Sequence, residues 1–399
     1  MNILQYRNLY RDNLLDDVIP FWVNNSEDKE FGGFFTCLDE KGKVYDTDKF
    51  MWLQGRQIWT LSMLYNHLEK KQEWLDMAVR GAEFLMKNGR DADGNWYFSL
   101  TREGKPITQP FNIFSDCFAA MGFAQLYKAT NNEIYKGIAL DTFNNIIKRQ
   151  NNPKGIYNKA FPETRPLQGF SLPMILCNLV LEMEHIMDPE MVENTIKQGI
   201  HSVMNVFYKP EFGLILENVG PDGSFSDSFE GRSINPGHGI EAMWFIMDLA
   251  TRSGDTALIK RAVDITIDIL EYSWDKKFGG IFYFMDVKGH APQQLEWDQK
   301  LWWVHVESIM SLLKGYNLTG DKRCWEWFEK VHAYTWDHFV DHKNGEWFGY
   351  LNRQGEVLVH AKGGKWKGCF HVPRGLFKGW QTLDAIAEKE PQTELIKMN

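Results

Sequence analysis

FGGFF, residues 31–35, sets two glycines among three phenylalanines, and KFGGIFYF, residues 277–284, repeats the device far along the chain. One copy would describe a kinked strand or a hairpin. Recurrence decides the fold. Glycine–aromatic stretches occur six times: FGGFF at 31, DGNWYF at 93, KGIYN at 154, EFGLILEN at 211, KFGGIFYF at 277 and GEWFGYL at 345. With Gly32, Gly94, Gly155, Gly213, Gly279 and Gly345 as markers, the intervals are 62, 61, 58, 66 and 66 residues. Even spacing along the whole chain is the mark of a repeat architecture, and each interval holds two helices with their turns.

The helices are legible between the markers. Residues 50–69 and 73–88 carry apolar residues three or four apart, and comparable pairs follow at about 112–129 and 133–149, 169–186 and 190–206, 236–252 and 256–273, and 300–317 and 322–340. After the last marker only one good helix follows, at about 374–388, and its missing partner stands at the other end of the chain, at 3–23. An open solenoid would leave apolar end faces to be capped, whereas a ring closes on itself. The expectation is an all-α chain, an (α/α)6 barrel of six helical hairpins with the N-terminal helix closing the ring, forming a single domain over 1–399. Each marker glycine then permits the turn that precedes the next inner helix, and the aromatics cover that end of the barrel.

Composition narrows the function. The 399 residues carry a net charge of −9, which argues against a nucleic-acid partner. Aromatic residues make up 14%, with 16 Trp, suited to packing and to stacking on sugar rings. Five scattered cysteines form no CxxC pair, and the N-terminal twenty residues lack the apolar core of a signal peptide. No run is long and apolar enough for a membrane span, so a cytoplasmic protein is expected.

The unusual polar clusters fall just before, or in the first turns of, the helix after a marker. They are WLQGRQ with Arg56, NPGHGIEAMW with His238 and Glu241, KLWWVHVES with His305 and Glu307, and GCFHVPRG with His371 and Arg374. Arg56, His238, Glu307 and His371 lie 24, 25, 28 and 26 residues past their markers. Equivalent repeat positions project from the same end of a barrel, so these residues are expected to converge. Asn235-Pro236 is a helix start, placing His238 at an N-terminus whose partial positive charge favours neutral imidazole. Glu241, one turn on, is positioned to orient or recharge His238. Arg374, one turn after His371, is positioned to bind substrate oxygens or a developing oxyanion. Glu307 has a structural alternative, as an ion-pair partner of Arg56 or Arg374.

Other patterns carry less. GHGIEA (237–242) matches a dinucleotide fingerprint but lacks the preceding strand. GGKWKG (363–368) is not a Walker A loop, though it is suited to touching a phosphate or forming a flexible lid. No HExxH occurs, and no metal site is expected. His67, His185, His201, His332, His338 and His342 read as surface residues of outer helices and loops.

FGGFFTCL, KFMWLQGRQIW, NPGHGIEAMWF, QLEWDQKLWWVHVES, GEWFGYLNRQGEV and above all KGGKWKGCFHVPR together resemble the N-acylglucosamine 2-epimerase family, nearly end to end. The resemblance implies an (α/α)6 barrel, usually a homodimer, interconverting N-acetylglucosamine and N-acetylmannosamine with no metal or required cofactor. It also implies ATP as an activator that is not consumed; GGKWKG is the one candidate contact. Motif by motif, the catalytic pair falls on His238 and His371, with Arg56, Glu241, Glu307, Arg374 and Trp303 around the sugar. The alternatives on the same fold are a cellobiose 2-epimerase and an aldose–ketose isomerase. A glycoside hydrolase would need two opposed carboxylates, and Glu307 and Glu241 are the only ones at hand.

Overall fold

The computed structural model describes residues 2–161 and 163–389. The chain opens with one helical rod, α1 (Ile3–Asp12) passing through a π-helical turn (Asn13–Val18) into α2 (Ile19–Asn25). There follow α3 (Met51–His67), α4 (Gln72–Asn88), α5 (Phe114–Thr130), α6 (Glu133–Arg149), α7 (Ser171–Met183) and α8 (Pro189–His201). The rest are α9 (Pro236–Ser253), α10 (Thr256–Ser273), α11 (Trp302–Thr319), α12 (Lys322–His338) and α13 (His371–Lys389). Every helix lies where the periodicity placed it. The largest shift of a helix start is at α13, which begins three residues early and so takes His371 into its first turn.

Two kinds of helix alternate, and their composition says why. On α5 each residue from Ser115 to Leu126 is buried, because this helix meets neighbours on all sides. On α4 burial falls on Trp74, Met77, Ala78, Gly81, Ala82 and Leu85, a single stripe facing inward. The helices α3, α5, α7, α9, α11 and α13 touch in that order as an inner ring. The ring closes where the start of α13 returns to α3. There Thr60 Oγ1 donates to the Cys369 carbonyl at 2.7 Å, and Phe370 packs edge-on against Trp59. The N-terminal rod lies outside α13 and supplies the sixth outer helix, Tyr10 stacking on Trp336 of α12. The barrel is therefore closed, as the helix arithmetic required.

All six marker glycines have positive φ: +80° at Gly32, +82° at Gly94, +54° at Gly155, +68° at Gly213, +77° at Gly279 and +79° at Gly345. Residues with a Cβ avoid this region, which accounts for glycine at the repeat position. Four markers reverse the chain between bridged residues, as in Glu27 with Phe34 and Trp274 with Ile281, and Gly213 does so through a short ladder. Gly155 instead opens a 3-10 turn (Gly155–Tyr157), and Ile156 is exposed there.

Three turns carry a further device. Buried Lys49, Lys300 and Lys362 reach back to Asp28 (2.9 Å), Asp275 (3.1 Å) and Asp341 (2.8 Å), each aspartate four residues before its marker. These ion pairs tie each turn to the chain that leaves it. One histidine departs from expectation. His332 is buried, not on the surface, because the N-terminal rod covers it and Tyr10 Oη lies 3.1 Å from its Nδ1. Among the described residues no helix is long and apolar enough to cross a membrane.

Candidate active site

All six inner helices present their N-terminal turns to a cavity of about 560 Å3. Arg56, His238, Glu241, Trp303 and His371 line it, so the equivalent repeat positions do converge. Aromatic residues from the connecting loops, Tyr283, Tyr350 and Trp366, also line it. Six helix ends pointing inward give the space a positive potential, suited to an oxyanion.

Glycines inside the ring position the polar groups. A Cβ on Gly55 would lie 2.5 Å from the Phe118 carbonyl oxygen, and one on Gly122 would lie 2.6 Å from the Gly55 oxygen. The backbones of α3 and α5 therefore meet, and Arg56, next in sequence, lies 3.9 Å from the Phe118 ring centroid and 4.7 Å from that of Trp52. A Cβ on Gly237 would lie 2.6 Å from the Trp303 ring. Its absence seats that indole beside His238, with ring centroids 5.3 Å apart, and the His371 ring lies 5.8 Å from the same indole. Asn235 caps α9 as expected, its side chain accepting from the His238 backbone N–H at 3.2 Å.

Each histidine is held by a carboxylate through Nδ1. His371 Nδ1 lies 2.7 Å from Glu307 Oε1, and His238 Nδ1 lies 3.0 Å and 3.1 Å from the two oxygens of Glu217. Neither Nε2 has a partner among the described residues. A carboxylate on Nδ1 fixes the tautomer and leaves the Nε2 lone pair as the base.

The electrostatics of the two pairs differ. Burial brings His371 down to about 3, and the charges of Arg56 and Arg374 oppose its protonation further, against the pull of Glu307. Burial works against His238 too, but the charge and hydrogen bond of Glu217 outweigh it and raise it above the ordinary histidine value. Burial also opposes ionisation of Glu307, yet Arg374 and His371 overcome it and hold its carboxylate low. Burial and the neighbouring Glu307 push Glu241 up to about 7. Burial brings Arg56 down to about 9.

Several sequence expectations change place. Glu307 and Arg374 do not line the cavity; they stand behind its wall. Glu307 is fully buried and its oxygens are committed to His371, to Arg374 (2.7 Å) and to Trp244 Nε1 (2.8 Å). Arg374 donates through one nitrogen to Glu307 and Glu241 (2.6 Å), so of the two readings of Glu307 the structure supports the ion pair with Arg374. Glu241 does not orient His238. Glu217 does so, a residue the sequence reading missed. His305, in the same cluster as Glu307, is structural: its Nδ1 lies 2.8 Å from the Leu301 carbonyl and its Nε2 accepts from the Ile281 N–H at 3.1 Å. In GGKWKG, Lys367 is buried against Glu346 (2.8 Å), leaving Lys365 as the exposed lysine, while Trp366 packs edge-on to Trp52 over the cavity.

Glu241, Glu307 and His371 offer donor atoms within 4.8 Å of one another, a grouping able to hold a cation. Arg374 already supplies a positive charge to both carboxylates.

The N-acylglucosamine 2-epimerase family model matches residues 33–372. The N-acylglucosamine 2-epimerase of Mus musculus is 40% identical over 384 residues, covering 94% of this chain and 91% of that protein. The cellobiose 2-epimerase of Bacteroides fragilis is 25% identical over 383 residues, covering 90% and 94%. Among solved structures, the cellobiose 2-epimerase from Bacillus thermoamylovorans superposes with a TM-score of 0.81 at 20% identity, over 94% of this chain and 99% of that one; this likeness shows the fold.

Proposed function

The chain belongs to the N-acylglucosamine 2-epimerase family, and we propose that it interconverts N-acetyl-D-glucosamine and N-acetyl-D-mannosamine by moving the proton on C2. The observation that carries this reading is the pair of histidines on α9 and α13, flanking Trp303, each braced on Nδ1 by its own carboxylate. The protein is an isomerase acting on carbohydrate.

The sugar opens to its aldehyde form, whose carbonyl acidifies the C2 proton. A neutral histidine takes that proton through Nε2, and the C2 electron pair moves into a planar enolate with the charge on the C1 oxygen. Arg56 is the cavity-lining cation for that oxygen; its Nε has no partner among the described residues. The second histidine, charged, returns a proton to the opposite face. The electrostatics set the two apart, with burial holding His371 neutral and Glu217 raising His238 toward the charged form. One epimer reacts from that form and the other from its mirror, in which the two have exchanged protonation states. Glu307 and Arg374 act through His371 and Glu241.

A homodimer, a cytoplasmic location, a role in supplying or removing N-acetylmannosamine for sialic acid, and activation by ATP extend the proposal, supported by family membership alone. The exposed Lys365 is then the nucleotide contact within GGKWKG.

Incubation with N-acetylmannosamine in D2O, followed at C2 by NMR, tests the function. Formation of N-acetylglucosamine carrying deuterium at C2 is expected. Absence of both product and exchange, with turnover of cellobiose or mannose instead, would overturn the substrate assignment in favour of the other activities on this fold.

A further inference from the structure

The cavity wall is unevenly built. The arc from α9 through α11 and α13 to α3 carries His238, Glu241, Trp303, His371 and Arg56. The facing arc, α5 and α7, contributes Phe114, Phe118, Met174 and Ile175, with Asn112 and Ser171 at its edge. In a ring of six, α5 stands across from α11, so these apolar side chains face the Trp303 side where the reacting carbon sits. The hydroxyls of a hexose chain find no hydrogen-bond partner on the apolar side chains of this wall. An N-acyl sugar carries one apolar group, the acyl methyl, attached through nitrogen to C2 itself.

The planar intermediate leaves C2 with three in-plane substituents, and the histidines take the space above and below. C1 and its oxygen belong with Arg56. The C3–C6 chain with its hydroxyls fits the polar loop groups Tyr283, Glu296 and Gln299, which also line the cavity. The third direction, toward α5 and α7, remains for the acylamino group.

Asn112 adds an independent observation. Its Oδ1 accepts the Phe114 backbone N–H at 2.9 Å. Only the oxygen can accept, so this bond fixes the orientation of the amide, and Nδ2 has no partner among the described residues. An amide N–H donor at the edge of an apolar pocket is what an acyl carbonyl requires.

We propose that Phe114, Met174 and Ile175 form the pocket for the N-acyl group, that Asn112 Nδ2 donates to the acyl carbonyl, and that Met174 sets the acyl length. This rests on the N-acylhexosamine reading above. One methylene in an apolar pocket discriminates by roughly 10- to 200-fold, enough for the side chains lining it to select acetyl over longer acyl groups.

The test is acyl preference, measured as kcat/KM for N-butanoylmannosamine relative to N-acetylmannosamine. Met174→Ala is expected to raise that ratio by about tenfold or more. Ile175→Ala serves as the second variant should the first not fold, with circular dichroism as the check on folding. Asn112→Ala is expected to lower kcat/KM for N-acetylmannosamine mainly through KM. Unchanged acyl preference in a folded Met174→Ala or Ile175→Ala, with wild type turning over N-acetylmannosamine, overturns the pocket and leaves the epimerase intact. Failure of wild type to exchange C2 of N-acetylmannosamine would strike the functional reading instead.

Discussion

Replacing Glu217 by glutamine separates its charge from its shape. The carboxylate lies 3.0 Å from His238 Nδ1 and is the reason a buried imidazole holds a proton more tightly than a free one. Glutamine is nearly isosteric and can still accept through its amide oxygen, but the negative charge is gone and the burial remains. A hydrogen bond to a charged group contributes about 1.5–3 kcal/mol, against about 1 kcal/mol for a neutral one. The difference, roughly 0.5–2 kcal/mol, corresponds to about 0.4–1.5 pKa units. His238 in Glu217→Gln is therefore expected to titrate lower than in the wild type by that amount, so that above its titration range the charged fraction falls by up to about thirtyfold. The assay is the pH dependence of kcat/KM with N-acetylmannosamine, together with the NMR titration of the His238 ring. The limb on which activity declines with rising pH should move to lower pH, so that acidification partly rescues the variant. A Glu217→Gln enzyme with the wild-type profile and the wild-type His238 titration would refute the role assigned to Glu217.

His238→Asn and His371→Asn are each expected to lower epimerisation by about 10²–10⁴-fold, while each retains C2 deuterium exchange with only one of the two epimers; exchange of both by either variant would contradict the two-base geometry. Gly237→Ala puts a Cβ 2.6 Å from the Trp303 ring, so a stability loss of about 1–3 kcal/mol with a fall in kcat is expected, read by denaturant unfolding and initial rates. Buried His305 and His371, both brought down to about 3, and His332, brought down to about 4, are held neutral in the resting fold. Unfolding frees them to take up protons, so stability present above pH 6.5 falls as the solution is acidified toward pH 4, by about 2 kcal/mol per histidine at pH 5. Urea unfolding at pH 7.5 and 5 checks this, and His332→Phe should weaken the dependence.

The barrel was legible because its repeat is written in residues with a single physical use. Positive φ admits glycine and penalises nearly everything else, so the six markers survive as glycines and can be counted. Helix positions followed because inner and outer helices bury different fractions of their surface. The facing of Arg56, His238 and His371 into one space followed from equal offsets within the repeat. Pairings across the ring were hidden, since periodicity fixes where a side chain starts but not which distant group it meets. Glu217 illustrates the loss: it lies 21 residues before His238, at a bend between two short strands, where no helical spacing connects the two. A signal existed. Glu217 and Tyr283 both stand four residues past their markers, one braced on His238 and the other lining the cavity. The lysine–aspartate staples carried a similar signal, with aspartate four residues before Gly32, Gly279 and Gly345.

Two histidines with the same brace would titrate alike, and an epimerase built that way would hold both charged or both neutral at rest. The difference here traces to what surrounds each brace: burial and the charges of Arg56 and Arg374 oppose a proton on His371, whereas no cation opposes the pull of Glu217 on His238. Glu307 shares its oxygens among His371, Arg374 and Trp244, and its pull on a His371 proton is outweighed by burial and the two guanidinium charges. Glu217 has no such competitor among the described side chains and spends its charge on His238 alone. Arg374 also bonds Glu241, whose lifted pKa places a second exchangeable proton beside the first pair. On the two-base mechanism proposed above, Arg374 from behind the cavity wall and Arg56 within it together bias His371 toward the neutral form that begins the reaction as base. The i,i+3 pair His371/Arg374 thus acts together although only His371 lines the cavity.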